Sequence, residues 1–239
     1  MLVPLLALQR ALHREIQAVL LILTRHAGAT MAFFSLLFLP GVLLHELSHY
    51  LMARLLRVRT GRFSLWPRAL PDGRLQLGYV ETARSDVVRD TLIGLAPLLA
   101  GGLLVAYVAV FRLGLLSLWD ALRVGAVERF WAGVAGLPRV PDFPLWFYLA
   151  FTVSSTMLPS RSDRHAWLPL GLWIGALLSL AILAGGGPWL LTYLAPPLNA
   201  FLRSVAMVFG LSALFHAVLA LPVALLHRIL TRLTGLDVQ

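Results

Sequence analysis

Apolar runs without a charged side chain divide this sequence into segments that water solvates poorly. Residues 27–44 carry no charge, and neither do residues 166–202. Across the chain, 59% of the residues are hydrophobic and 13% are charged. The hydrocarbon core of a bilayer is about 30 Å thick and takes about 20 apolar helical residues to cross. The sequence therefore predicts an all-α, polytopic membrane protein and excludes a soluble globular enzyme.

Five of these runs predict transmembrane helices. A cluster of glycines and a proline, at residues 185–188, interrupts the longest run. We expect the fourth span to end there, and the piece after it to be re-entrant or interfacial. The five spans are residues 27–44, 91–111, 143–160, the part of 166–202 before the cluster, and 204–226.

Residues 1–26 differ from the spans, because Arg10, His13, Arg14 and Glu15 split their apolar positions. We expect an N-terminal amphipathic helix in the membrane interface, with a sixth span as the alternative. The chain then divides into three parts. They are this helix at 1–26, a three-span core at 27–170, and C-terminal transmembrane helices at 171–239.

The loop between the first two spans has the pattern of a β-hairpin, which we place at residues 60–82. The apolar run from Phe63 to Trp66 precedes a Pro71-Asp72-Gly73 turn, and Leu75, Leu77 and Tyr79 then occupy every second position. Apolar alternation beside such a turn predicts two short antiparallel strands. An irregular basic loop is the alternative.

The basic charge favours a membrane partner over nucleic acid. The formal net charge is +9, and every basic residue is an arginine. In membrane proteins, excess arginine marks cytoplasmic loops and contacts with anionic headgroups. Twelve of the twenty arginines fall on the hairpin side, which is the predicted cytoplasmic side. Because the chain has no cysteine, any metal must be held by His, Asp or Glu.

A candidate metal motif follows the first charge-free run. It reads His45-Glu46-Leu47-Ser48-His49. Residues four apart share one face of a helix, so both imidazoles can reach one ion. Glu46 stands beside them as the candidate general base for metal-bound water. A helix end whose polar residues face headgroups is the alternative, but ionisable groups in a membrane are costly unless they have partners.

The direction of the helices selects a third ligand. The first span ends just before His45 and the third just before Asp163, with one returning span between them. The first and third helices therefore run the same way and end at the same face. Asp163 is the favoured third ligand of a zinc-type site, and His165 is the alternative.

Other ionisable side chains in the sequence have simpler interpretations. Glu81, Asp86 and Asp90 fall on the same side as the motif but in the loop, where solvated side chains are expected. His216 lies inside the fifth span, where we expect a buried, hydrogen-bonded histidine and not a ligand.

These residues resemble the site-2 proteases, intramembrane zinc metalloproteases, and especially their short prokaryotic members. The similarity covers about residues 30–170: the segment 44–50 around the motif, a strand-rich loop, and Pro159-Ser160-Arg161-Ser162-Asp163. It implies a metalloprotease-like core at 27–170 in a prokaryotic cytoplasmic membrane, with the site towards the cytoplasmic face. By resemblance, His45, His49 and Asp163 hold one Zn²⁺ ion and Glu46 activates water.

The segment around Asp163 departs from the family's pattern. The family has Asn-x-x-Pro followed by Leu-Asp-Gly, whereas Ser162 and Arg164 flank Asp163 here and the chain's one asparagine is Asn199. That family asparagine helps to hold substrate, and Ser155 or Thr156 could replace it as substrate contacts. The resemblance implies that the substrate is a membrane-spanning or membrane-bound protein.

A substrate helix must also unwind before it is cut, because its amides are hydrogen-bonded within the helix. We expect the unwound segment to pair with the hairpin by β-augmentation, or the hairpin merely to seal the site.

Two other functions fit the same residues. One is a catalytically inactive, protease-like membrane scaffold, and the other is a small ion- or proton-coupled transporter with a glycine-broken helix.

Overall fold

The computed structural model describes residues 1–69 and 75–236, and most of these residues are helical. The predicted Pro71-Asp72-Gly73 turn and residues 237–239 lie outside the described residues. The helices are α1 (Leu2–Thr24), α2 (Ala27–Leu55), α3 (Val87–Tyr107), α4 (Leu115–Arg123), α5 (Val127–Gly136), α6 (Phe143–Thr156), α7 (Trp167–Ala181), α8 (Gly187–Trp189) and α9 (Ala195–Thr234). The strands are β1 (Thr60–Ser64), β2 (Arg68–Ala69), β3 (Leu75–Gln76) and β4 (Tyr79–Thr82).

Three helical stretches of the described chain are long and apolar enough to cross a membrane. They are Ala27–Leu55, Val87–Arg112 and Trp167–Thr234. The second includes a π-helical turn at Val108–Arg112, and the third is interrupted at Gly185, whose φ of 86° is left-handed. This interruption falls in the predicted glycine cluster. A mostly helical membrane protein is therefore supported, and the count of five spans stays a prediction.

The helix in the third predicted span is shorter than its charge-free run. α6 has 14 residues, about 21 Å at the usual helical rise, so it does not cross a full hydrocarbon core by itself. It ends at Thr156 because Pro159 has no N–H for the Ser155 carbonyl and disfavours helical backbone at Leu158. The residues after Thr156 form a non-helical segment, which carries Asp163.

The predicted hairpin is present as two short antiparallel sheets. β1 pairs with β4 through Phe63 and Val80, with an irregularity between Thr60 and Phe63. β2 pairs with β3 through Arg68 and Gln76. The Arg68 guanidinium also donates to the Gln76 side chain at 2.7 Å. The hairpin therefore folds back towards α2 and brings residues 75–80 next to the motif.

The helices α2 and α6 run parallel in close contact. The Tyr148 hydroxyl donates to the Leu37 carbonyl at 2.9 Å, across 111 positions. One turn further along α2, a Cβ atom at Gly41 would collide with the Thr152 carbonyl oxygen, and these two residues are also 111 positions apart in the sequence. This constant register confirms that the first and third predicted spans run the same way.

The helix α1 packs along α9, over most of its length. Leu5 lies in a buried cluster with Phe215, and Glu15 contacts His227 at 2.7 Å. Both pairs follow the same order along the two helices, so α1 and α9 run in the same direction. α1 is not among the three stretches that are apolar enough to cross a membrane, so the interfacial helix and the alternative of a sixth span both stay predictions.

Candidate metal centre

The second half of α2 presents both histidines of the motif on one face. The Nε2 atoms of His45 and His49 lie 3.2 Å apart, and their rings meet edge to face at 4.8 Å between centroids. The Ser48 hydroxyl donates to the His45 carbonyl at 2.7 Å, so it does not compete for the ring nitrogens. The helical spacing therefore brings the two imidazoles together as predicted.

The carboxylate of Asp163 completes the cluster. Its Oδ1 lies 3.4 Å from His49 Nε2, and its Oδ2 lies 3.9 Å from His45 Nε2. The three candidate ligand atoms lie within 4.8 Å of one another, with His49 buried and the other two partly buried. The structure thus brings together the three residues chosen from the sequence, and this group could hold a metal ion.

Hydrogen bonds orient the Asp163 carboxylate. The Ser160 N–H donates to Oδ2 at 2.6 Å, and the Asp163 N–H approaches the Ser160 hydroxyl at 3.3 Å. Burial raises the pKa of Asp163, but the neighbouring His49 and the hydrogen bonds with Ser160 outweigh burial and bring the pKa to about 2. The carboxyl is therefore ionised at neutral pH, which is the form that binds metal.

The backbone of α3 fixes the ring of His49. His49 Nδ1 lies 2.9 Å from the Ile93 carbonyl oxygen, so Nδ1–H donates there and the Nε2 lone pair points to Asp163 and His45. A hydrogen bond of this kind is the usual way in which a protein orients a histidine ligand. The Nε2 atoms of His45 and His49 and the carboxylate of Asp163 face one another in a group that could hold a cation. The donor set therefore fits a metal ion.

Glu46 and the hairpin line the same cavity as the three candidate ligands. Glu46 is buried, with 7% of its surface exposed. A Cβ atom at Gly78 would lie 3.0 Å from Glu46 Cγ and 2.9 Å from Val42 Cγ1, so the hairpin backbone rests directly on α2. The cavity measures about 510 Å³. Its lining comprises Val42, His45, Glu46, His49, residues 75–80, Ser155, Thr156 and residues 160–163.

His165, the alternative ligand, points away from this group. Its Nε2 lies 3.2 Å from Asp90 Oδ2, and its Nδ1 lies 2.6 Å from the Ser162 carbonyl. The Ser162 carbonyl and the Asp90 carboxylate raise the pKa of His165. Asp163, and not His165, therefore stands with the histidine pair.

Asp90 corrects the expectation of a solvated side chain. It lies in the first turn of α3, only 13% of its side chain is exposed, and it contacts His165. Its Oδ1 also accepts from the Ser85 hydroxyl at 2.5 Å. No pattern in the sequence marks it, because its partner His165 lies 75 positions away. Asp86 and Glu81 remain exposed beside Arg89 and Arg62.

Ser155 and Thr156 line the cavity, but the protein already uses their hydroxyl protons. His216 Nδ1 donates to the Ser212 carbonyl at 2.7 Å, so its Nε2 accepts from the Ser155 hydroxyl at 2.9 Å. The Thr156 hydroxyl donates to the Thr152 carbonyl at 3.1 Å. As substrate contacts they would act through their remaining lone pairs. His216 is fully buried and hydrogen-bonded, as predicted.

No family model, curated protein or solved structure matches this chain.

Proposed function

We propose that this protein is a membrane-embedded zinc endopeptidase that hydrolyses membrane-spanning or membrane-bound proteins, as site-2 proteases do. The observation that carries the proposal is the convergence of His45, His49 and Asp163 in one cavity with the buried carboxyl of Glu46. The two histidines lie in the second half of an apolar helix that is long enough to cross a membrane. The buried acid beside these ligands supports a catalytic centre over a purely structural ion site.

Zinc is the metal that we propose for the site. Two imidazole nitrogens and one carboxylate oxygen form a common donor set of catalytic zinc, which leaves a fourth position for water or substrate. A site for Ca²⁺ or Mg²⁺ would instead be built from oxygen ligands. Bound there, the ion would supply Lewis acidity for water and for a peptide carbonyl.

Glu46 is the residue that we propose moves the proton. As water attacks the peptide carbonyl carbon, the Glu46 carboxylate accepts a proton from that water. It then donates the proton to the amine nitrogen as the carbon–nitrogen bond breaks. His49 stays fixed during this step because its Nδ1–H remains on the Ile93 carbonyl.

The position of the hairpin supports a route for substrate. Residues 75–80 line the cavity together with residues 160–163. A peptide segment unwound into a strand can pair with an exposed strand edge through backbone hydrogen bonds. We propose that β3 and β4 hold the unwound substrate in this way. The resemblance supports a multi-pass protein of a prokaryotic cytoplasmic membrane, and the arginine distribution supports an orientation with this cavity towards the cytoplasm.

Metal analysis of the purified full chain in detergent tests the centre. We expect about one zinc ion per chain in the unaltered protein, and loss of zinc in His45→Ala and in Asp163→Ala. Asp120→Ala is the matched control, because Asp120 is exposed on α4, far along the chain from the motif. Zinc retained by both ligand variants would contradict the site. A zinc-loaded chain that cuts no member of a liposome-reconstituted library of single-span peptides would support the inactive scaffold instead.

A further inference from the structure

The first turns of α3 contact both segments that carry the candidate ligands. The Ile93 carbonyl accepts from His49, and Gly94 lies against the Asp163 backbone. One turn earlier, Asp90 meets His165, two residues beyond Asp163. This stretch of α3 therefore holds the His49 ring with one backbone oxygen and the Asp163 segment with two contacts.

The carboxylate of Asp90 is itself held in place. Its Oδ1 accepts from the Ser85 N–H at 3.2 Å and from the Ser85 hydroxyl at 2.5 Å. This leaves Oδ2 to face His165 Nε2 at 3.2 Å. A side chain fixed on one oxygen in this way presents the other oxygen at a defined position.

The ring of His165 joins that fixed oxygen to the Asp163 segment. Its Nδ1 lies 2.6 Å from the carbonyl of Ser162, the residue directly before Asp163. Between Thr156 and Trp167 the backbone has no α-helical ladder. The turn is closed by the bond from the His165 N–H to the Ser162 carbonyl at 3.4 Å, by the bond from the Trp167 N–H to the Arg164 carbonyl at 3.1 Å, and by the Ser160–Asp163 bonds described above, all of which are local. The imidazole is thus the side chain that ties this turn to α3.

We propose that Asp90 and His165 form a positioning pair, which holds the Asp163 carboxylate against His45 and His49 and so sets the affinity of the centre for its metal. The inference rests on the proposed metal site. Groups behind metal ligands commonly change metal affinity about 10–100-fold when they are removed. Neither residue of the pair would bind the metal itself, because the two side chains contact each other and also contact Ser85 and the Ser162 carbonyl.

The test measures Zn²⁺ affinity of the full chain in detergent, by competition with a chromophoric chelator. Asp90→Ala and His165→Ala should each weaken binding about 10–100-fold. The double variant should bind Zn²⁺ as tightly as the single variant with the larger loss, because the two residues act as one unit. His165→Gln should bind close to normally, because its amide N–H can still reach Asp90. Since the His165 side chain is 59% exposed, His165→Ala should still fold.

Asp86→Ala is the matched control. Asp86 caps the same helix by accepting from the Val88 and Arg89 N–H groups, and it contacts none of the candidate ligands. Its loss should lower the stability of α3 but leave the Zn²⁺ affinity unchanged. The absorption bands of the Co²⁺-loaded protein should shift in Asp90→Ala and stay unchanged in Asp86→Ala, because they report ligand geometry.

The outcomes separate this inference from the proposed function. One outcome would overturn the positioning pair alone. In that outcome His45→Ala loses zinc, but Asp90→Ala and His165→Ala bind zinc with unchanged affinity. An equal loss in Asp86→Ala would also overturn it, because the effect would then be general loosening of α3. An unaltered protein that binds no zinc would overturn both the centre and the pair.

Discussion

Gly94 and Asp163 approach so closely that a Cβ atom at position 94 would collide with the Asp163 carbonyl oxygen. Because Gly94 has no side chain, the non-helical segment after α6 can lie directly against α3. That segment carries the candidate third ligand, so the packing of two backbones decides where the carboxylate lies.

The first prediction concerns this contact. Gly94→Ala should lower the free energy of unfolding by about 1–3 kcal/mol, because the added methyl group overpacks the contact with Asp163. It should also weaken zinc binding by displacing the carboxylate. Thermal unfolding in detergent and zinc analysis measure the two effects. Gly102→Ala is the control, because its Cβ would meet only Val208 Cγ1 at 3.7 Å. Equal stability of the two variants would show that the segment adjusts freely.

Gly78 should affect cleavage more than metal binding. In Gly78→Ala the three nearest neighbours of the new Cβ would be Glu46 Cγ, Val42 Cγ1 and the Ser64 carbonyl oxygen, none of which belongs to a candidate ligand. We expect near-normal zinc content with slower peptide cleavage. Gly61→Ala is the matched control in the same hairpin, because its Cβ would meet only the flexible, half-exposed Glu81 side chain. Zinc lost from Gly78→Ala would mean that the hairpin supports the ligands and not Glu46.

The proposed role of Glu46 predicts a separation of binding from chemistry. Glu46→Gln keeps the size of the side chain but cannot accept the proton of water. The variant should retain zinc, and its cleavage rate should fall about 10²–10⁴-fold. Glu128→Gln makes the same change at an exposed position of α5 and should leave both measurements unchanged. Cleavage at the normal rate in Glu46→Gln would exclude the proposed proton transfer.

The buried bond between His216 and Ser155 predicts a stability effect. His216→Leu should lower the free energy of unfolding by about 1–3 kcal/mol, because the Ser155 hydroxyl would be buried without an acceptor on α9. Adding Ser155→Ala removes the unpaired hydroxyl, so the double variant should recover part of the loss. Denaturation of the three proteins in mixed micelles measures this recovery. A double variant less stable than His216→Leu would contradict the explanation.

Local spacing and helix direction were enough to predict the centre. The four-residue interval places His45 and His49 together in any regular helix, and one returning span aligns the ends of the first and third predicted spans. The hairpin followed from alternation at Leu75, Leu77 and Tyr79. Each of these inferences depends on near neighbours or on direction alone, both of which are visible in a single sequence.

The contacts that fix the centre depend on distances between segments that sequence patterns do not encode. Gly41 and Gly94 look like ordinary transmembrane glycines until their partners, Thr152 and Asp163, are known. Asp90 was interpreted as solvated because its acceptor role requires His165, 75 positions away. The short α6 was missed because a charge-free run shows where a span can lie, but not where a proline ends its helix.

The packing of α1 along α9 has a consequence for biosynthesis. Glu15 and His227 lie 212 positions apart in the sequence. The α9 surface that contacts α1 therefore does not exist while the ribosome is still making the segments between them. During that time α2, α3 and α6 can already assemble around the histidine pair. The contact between α1 and α9 therefore forms only after every segment between these two helices has been made.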